Sequence, residues 1–377
     1  MTCSERLGGG GQHRQPEGAK VIRLVRSPSI GEVEDSYSAH FHLSRSERQP
    51  DGILPVEGLR SSRATEDRVY EHRPVMESEV LELFAPLPSG LVLDATVGGG
   101  GHADAILEEF PHLSLLGFDR DELAVDAARE RLRRWGTRAE VVHARFDELE
   151  GLRGRPLVGA LFDLGVSSPQ LDRPERGFSY RHDGPLDMRM DRREHPSAAE
   201  LVNAISEDEL VSLLVANGET RFARAITRSI IAARPIGTTI QLADAVSRAV
   251  PAAARRRGHP ASRVFQALRT VVNAELEILS PALEAVLGRL VPYGRCVVLS
   301  YQSGEDRLVK QVFSRAATGG CTCPRSLGCV CGARPMVRLL NRGARMASED
   351  EVAGNPRAAS VRLRAVERLA IAAGGPE

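Results

Sequence analysis

Three aspartates close apolar runs, and they carry the first chemical signal in the chain. Leu91-Val92-Leu93 ends in Asp94, Leu113 to Phe118 ends in Asp119, and Ala160-Leu161-Phe162 ends in Asp163. Between the first two runs lie Gly98-Gly99-Gly100-Gly101-His102 and a helix-like segment, Ala103 to Phe110. Glycines let the backbone turn tightly and let a ligand approach it closely. An acid at the tip of the next strand can accept hydrogen bonds from both hydroxyls of a ribose. Glycine turn plus acid therefore points to an adenosine-containing cofactor. An acid in such a crevice also meets a desolvation cost unless something is bound there.

The elements that position these groups follow from pattern. A short helix, Ser78 to Phe84, precedes the first strand, and Asp121 to Arg134 reads as a helix after the second. Glu140-Val141-Val142-His143 is a third strand, and the run ending at Asp163 is a fourth. Alternating strands and helices predict an α/β fold, a parallel sheet with helices on both faces and ligands beyond the carboxyl ends of the strands. From Pro174 to Pro281 no convincing strand occurs. Ser197-x-x-Glu200 and Ser206-x-x-Glu209 are capping boxes. Asn217-Gly218 reads as a helix stop, and Arg221 to Arg234 as a helix ended by Pro235. Phe265, Leu268, Val272, Leu276 and Leu279 recur at the spacing of one further helix. The expected organisation is an extension too polar to fold over residues 1–66, a discontinuous α/β domain over 67–174 and 281–368, an all-helical insertion over 175–280, and a tail over 369–377. The sheet resumes at Arg295 to Ser300, with a last strand at Ser360 to Ala365.

Lys+Arg 50 balances Asp+Glu 50, so net charge is silent on partners. Only Lys20 and Lys310 are lysines; base composition of the genome explains that, as does phosphate contact by guanidinium forks. Arg255-Arg256-Arg257, with Arg263, is either a solvated loop or a phosphate-binding patch for RNA. Cys321-Thr322-Cys323 and Cys329-Val330-Cys331 suit one tetrahedral structural zinc, or stand as four thiols in a loop. Cys296 reads as core. No apolar run is long enough to span a bilayer, and no secretory pattern opens the chain, so the expected location is cytoplasmic. The sequence does not set an oligomeric state; a homodimer is compatible with it. A nicotinamide-dependent oxidoreductase, a small-molecule methyltransferase and a non-catalytic RNA scaffold share parts of this pattern.

Five ordered blocks add a specific resemblance. Asp94 to His102, Asp163 to Asp172, Arg176-Gly177-Phe178-Ser179-Tyr180 with Asp183 to Asp191, Phe265 to Arg269 with Val272 to Leu276, and Asn355-Pro356-Arg357 with Leu363-Arg364 resemble the bacterial small-subunit ribosomal RNA methyltransferase H family. The resemblance covers about residues 69–368. It implies a Rossmann-like S-adenosylmethionine-dependent methyltransferase sheet and methylation of a cytosine N4 in 16S rRNA. It further implies cofactor contacts at Gly100, Gly101, His102, Asp119, Phe146, Asp163 and Gln170. Asp163 and Ser168 are the candidates beside the target amine. Where the family usually carries a histidine, this chain has Gln302.

Overall fold

The computed structural model describes residues 74–370, apart from 153, 256–258 and 325–329. Further toward the N-terminus it describes a two-residue ladder, Val25–Arg26 with Tyr37–Ser38. The expected extension over 1–66 otherwise lies outside the described residues, as does the tail beyond 370.

Seven strands form one sheet: β1 Gly90–Asp94, β2 Leu113–Asp119, β3 Ala139–His143, β4 Leu157–Asp163, β5 Leu290–Ser300, β6 Val337–Leu339 and β7 Arg362–Arg368. Their spatial order is β3-β2-β1-β4-β5-β7-β6. The first five pair in parallel, while β7 runs antiparallel to both β5 and β6. The sheet is thus mixed, and the edge strand β6 has no counterpart in the sequence reading. Three residues are too few to show a period. The central strands are buried on both faces, which is why they read as unbroken apolar runs.

Helices cover each face. α1 Glu77–Phe84, α2 Gly101–Glu109 and α3 Glu122–Leu132 lay Val80, Phe84, Ile106, Leu107, Ala128 and Leu132 on one side. α11 Glu275–Arg289 and α12 Ser303–Thr318 lay Leu279, Leu283, Val286, Val312 and Phe313 on the other. Between β4 and α11 come α4 Ser168–Asp172, α5 Ala198–Ala204, α6 Glu207–Ala216, α7 Ala223–Ala232, α8 Thr239–Ala249, α9 Ala252–Arg255 and α10 Ala261–Val272. The capping boxes at Ser197 and Ser206 form as expected. After β5, the short α13 spans Glu349–Gly354.

The single helix expected through residues 265–279 is two. It breaks at Ala274, which is left-handed at φ 49°. Asn273 drives the break: its side-chain amide donates to the Met188 and Arg269 carbonyls at 2.9 and 2.8 Å, and its oxygen accepts from the Met190 amide at 2.8 Å. A buried asparagine that satisfies three backbone groups, two of them in the distant Met188–Met190 segment, outweighs a continuing apolar period. α11 then runs through Pro281, so residue 281 lies inside a helix rather than at a boundary.

Candidate active site

The strand order reverses between β1 and β4, so the connections from these two strands leave in opposite directions. A crevice opens beyond their carboxyl ends. Asp94, Asp119 and Asp163 terminate β1, β2 and β4 and meet there, as their spacing implied.

Two cavities fill the crevice. The smaller is lined by Asp119, Phe146, Asp163 and Gln170. The larger, about 490 Å³, is lined by Asp94, Gly101, His102, Ser168, Gln266 and Gln302 among others. Thr96, Gly98, Asp163, Gly165, Ser167 and Tyr301 border both.

Asp119 shapes the smaller cavity. One carboxylate oxygen accepts from the Gly98 amide at 2.9 Å, the other from the Asp121 amide at 2.8 Å. Each oxygen keeps a further lone pair, enough for a diol. Burial lifts this carboxyl to about 6, against the pull of those two amides. Phe146 meets Phe162 edge-on at 5.8 Å and presents an apolar wall. Gln170 is buried and committed to the frame. Its oxygen accepts from the Ser167 amide at 3.0 Å, and its amide donates to Asp121 at 2.8 Å. Asp121 in turn pairs with buried Arg176 at 2.8 Å, tying the Arg176 block to the cofactor side.

The glycines divide their work. Gly98 (φ 53°) borders both cavities and holds Asp119. Gly101 opens α2 and borders the larger cavity. Gly100, expected among the cofactor contacts, borders neither. At φ 81° it packs toward α3, where an added Cβ would stand 3.4 Å from Ala128 and Leu132. Its conformation and that close approach account for the glycine.

Asp163 stands at the junction. Its backbone amide donates to the Thr96 hydroxyl at 2.7 Å, and its Oδ1 accepts from the Tyr301 hydroxyl at 2.8 Å. Its side chain keeps 28% exposure. Burial of the rest raises the carboxyl to about 7, while the Tyr301 bond opposes that rise. Its Oδ2 faces His102 Nε2 at 3.8 Å. His102 is buried, which lowers it to about 4, so the ring is neutral at physiological pH. Nε2 has no hydrogen-bond partner among the described residues, an orphaned polar atom aimed at the junction. Ser168 starts α4, and Arg357 donates to its hydroxyl while holding Asp172 at 3.0 Å. Gln302 caps α12 in a capping box and accepts from Gln266 at 2.6 Å. Tyr301, Thr96, Gln266 and Arg357 also line these cavities, although the sequence reading assigned none of them an individual role. Thr96, Gln266 and Arg357 lie inside blocks that carry the resemblance, and Tyr301 lies just after a strand end.

Asp94 is buried and shielded. Burial raises its carboxyl to about 8, opposed by the Thr96 amide at 3.2 Å and reinforced by Asp163 and Asp119. The folded value lies above the ordinary 3.8, so the stabilisation is present below that value and is lost as pH rises through about 8. Asp94→Asn is therefore expected to raise the melting temperature of the ligand-free protein at pH 8–9. The gain should shrink to nothing toward pH 4. A constant difference across that range in melting scans would refute the assignment.

The expected RNA-contact arginines stand apart from this junction. Arg263 pairs with Glu219 at 3.3 Å, and Arg255 Nε donates to the Val250 carbonyl at 2.9 Å. Arg256 and Arg257 lie outside the described residues. Cys321, Cys323 and Cys331 bring their sulfurs within 4.8 Å of one another, and Cys329 lies outside the described residues. Cys296 is core, and burial pushes its thiol well up.

The MraW methylase family profile matches residues 69–369. The chain belongs to the MraW methylase family. Among relatives, a ribosomal RNA small subunit methyltransferase H from Thermobifida fusca is 49% identical over 308 residues, covering 79% of this chain and 93% of that protein. One of the same description from Geobacter sulfurreducens is 49% identical over 314 residues, covering 80% and 99%. A solved rRNA methylase from Streptococcus thermophilus has 13% identity, a TM-score of 0.36, and coverage of 80% and 99%. Family membership gives a Rossmann-like methyltransferase sheet, which the seven strands form, and it disfavours the oxidoreductase alternative. The blocks that carry the resemblance serve the frame as much as the cavities. Arg364 forks onto Asp306 at 2.7 and 3.1 Å, and half-buried Arg269 forks onto Glu275 at 2.9 Å. No helix among the described residues is long and apolar enough to cross a membrane.

Proposed function

We propose that this chain transfers a methyl group from S-adenosylmethionine to the N4 amine of a cytidine in the decoding region of 16S rRNA. The observation that carries the reading is the pair of cavities meeting at Asp163. One is suited to a nucleoside cofactor; the other is large enough for a base turned out of its stack. The donor set fits the cofactor. Asp119 would take the ribose hydroxyls, Phe146 would pack on the adenine, and Asp94, Asp119 and Asp163 would face the positive sulfonium. That charge would lower their raised pKa values toward the ionised state.

S-adenosylmethionine supplies the electrophilic methyl group. The chain's own residues do the rest. The N4 lone pair is delocalised into the ring, so the amine gains from an acceptor for its proton and from in-line placement. Asp163 Oδ2, left open while Tyr301 holds Oδ1, is that acceptor. Ser168, fixed by Arg357, and Gln302, fixed by Gln266, offer polar contacts to the base from the wall of the larger cavity. Gln302 donates and accepts without titrating, so it positions and takes no proton. Arg255, Arg256, Arg257 and Arg263 would contact RNA phosphates. The partner is then the small ribosomal subunit or its 16S rRNA. Mass spectrometry of 16S rRNA from cells with and without the protein tests the reading; an unchanged cytidine methylation pattern overturns it.

The reading extends to a structural zinc at Cys321, Cys323, Cys329 and Cys331, of which Cys321, Cys323 and Cys331 bring their sulfurs together. Hydrogen bonds from the Val330 backbone, then from Cys331 and Cys321, lower the Cys323 thiol toward the thiolate that zinc requires. Reduced, full-length protein is expected to carry about one zinc per chain. Cys323→Ser should lose it, and chelation should leave S-adenosylmethionine binding unchanged, since the glycine turn lies elsewhere in the fold. Elemental analysis showing no zinc in protein purified without chelators would exclude the site.

A further inference from the structure

A third cavity, about 660 Å³, lies within the helical insertion and borders the larger active-site cavity through Tyr180 and Ser262. The proposed function places neither the cofactor nor the target base there. Its walls combine flat rings with cations. Tyr180 stacks on His259 with centroids 4.4 Å apart and planes 12° apart, and Phe265 meets Tyr180 edge-on at 5.7 Å. His259 is exposed, so one ring face is held by Tyr180 while the imidazole stays open to solvent. Arg221 is exposed and lies over Phe222 at 5.0 Å. Arg263 has 63% of its side chain exposed and is anchored by Glu219, of which 8% is exposed. Glu219 also accepts from the Phe222 amide at 3.1 Å, so one buried acid sets both the arginine and the ring.

We propose that this cavity binds a nucleotide adjacent to the target cytidine in the same RNA strand, its base stacked on His259 and its phosphate met by Arg221 and Arg263. The inference rests on the reading of the larger cavity as the target-base site. Turning one base out of a strand deprives its neighbour of a stacking partner. A ring platform bordering the same cavity replaces that partner, and cations beside the platform neutralise the backbone. The flanking acid, Glu219, is already paired, so it does not repel a phosphate. Every base has a π-face and no base-edge acceptor or donor is needed, so the subsite tolerates any base. Tyr180 belongs to both cavities and couples them, since the ring that borders the target also backs the His259 platform.

The test uses full-length protein and fluorescein-labelled single-stranded RNA pentamers with a central cytidine. In matched pentamers an abasic ribose replaces the neighbour on one side or the other. Wild-type protein is expected to bind one abasic pentamer roughly 5- to 150-fold more weakly, the range for a single base–aromatic stack. His259→Ala should bind intact and abasic pentamers alike. Arg221→Gln, on a separate exposed side chain, should flatten the salt dependence by roughly 0.7 in log–log slope. Equal affinity of wild-type protein for intact and both abasic pentamers overturns the proposal, as does an undiminished abasic penalty in His259→Ala. Methyl transfer to small-subunit rRNA is measured on the same preparations. Its absence would sink the functional reading, whereas intact transfer with no abasic penalty would sink only the subsite.

Discussion

Asp163→Asn is expected to lower kcat for rRNA methylation by roughly 10²- to 10⁴-fold, the usual contribution of a positioned proton acceptor. The amide keeps the size of the carboxylate, and its oxygen can still accept from Tyr301, so the frame of Thr96, Asp163 and Tyr301 survives. Cofactor affinity should change far less than kcat. The pH dependence follows from the raised carboxyl. Only the ionised form accepts a proton, so kcat/KM for the cofactor should climb as pH rises through about 7. The kcat profile should turn at lower pH, because a bound sulfonium beside the carboxylate favours its ionised form. Tyr301→Phe removes the hydroxyl that favours the ionised form and should move both profiles upward. A wild-type-like kcat in Asp163→Asn would remove Asp163 from the chemistry.

Asp119→Ala is expected to weaken S-adenosylmethionine binding by at least 10- to 150-fold. Losing one charge-assisted bond to a hydroxyl pair costs roughly 1.5–3 kcal/mol. The structure adds to that loss, because the same carboxylate holds the amides of Gly98 and Asp121. Removing it frees the glycine turn as well as the ribose. Asp119→Asn separates the two effects: it can still accept from backbone and should lose only the charge-dependent part. Affinity should also fall as pH drops through about 6, where this carboxyl takes a proton. Calorimetric titration that finds unchanged affinity in Asp119→Ala would refute the ribose assignment.

The larger cavity also gives Gln302 a defined place in its wall. It caps α12 with both its own side chain and Glu305, and its oxygen accepts from Gln266. An amide performs both jobs.

The chain by itself determined the parts that local physics controls. Central parallel strands are buried on both faces, so they appear as unbroken apolar runs, and the acids that stop those runs mark the edge where the two cavities open. Capping boxes at Ser197 and Ser206 are reciprocal bonds within three residues, so they are legible without any tertiary contact. Tertiary structure alone decided the rest. The break at Ala274 depends on Asn273 reaching the loop at Met188 and Met190, more than eighty residues away in sequence. The antiparallel β7 and the short β6 are set by which sheet edge remained open, and strand direction leaves no mark on the sequence of a seven-residue strand. Gly100 and Gly98 look alike in sequence, yet one packs on α3 and the other donates its amide to Asp119. Tyr301, separated from Asp163 by 138 residues, becomes its hydrogen-bond donor only because β4 and β5 are neighbours in the sheet. Residue type and spacing report what one segment can do; which segments share a cavity is settled by the packing that buries them.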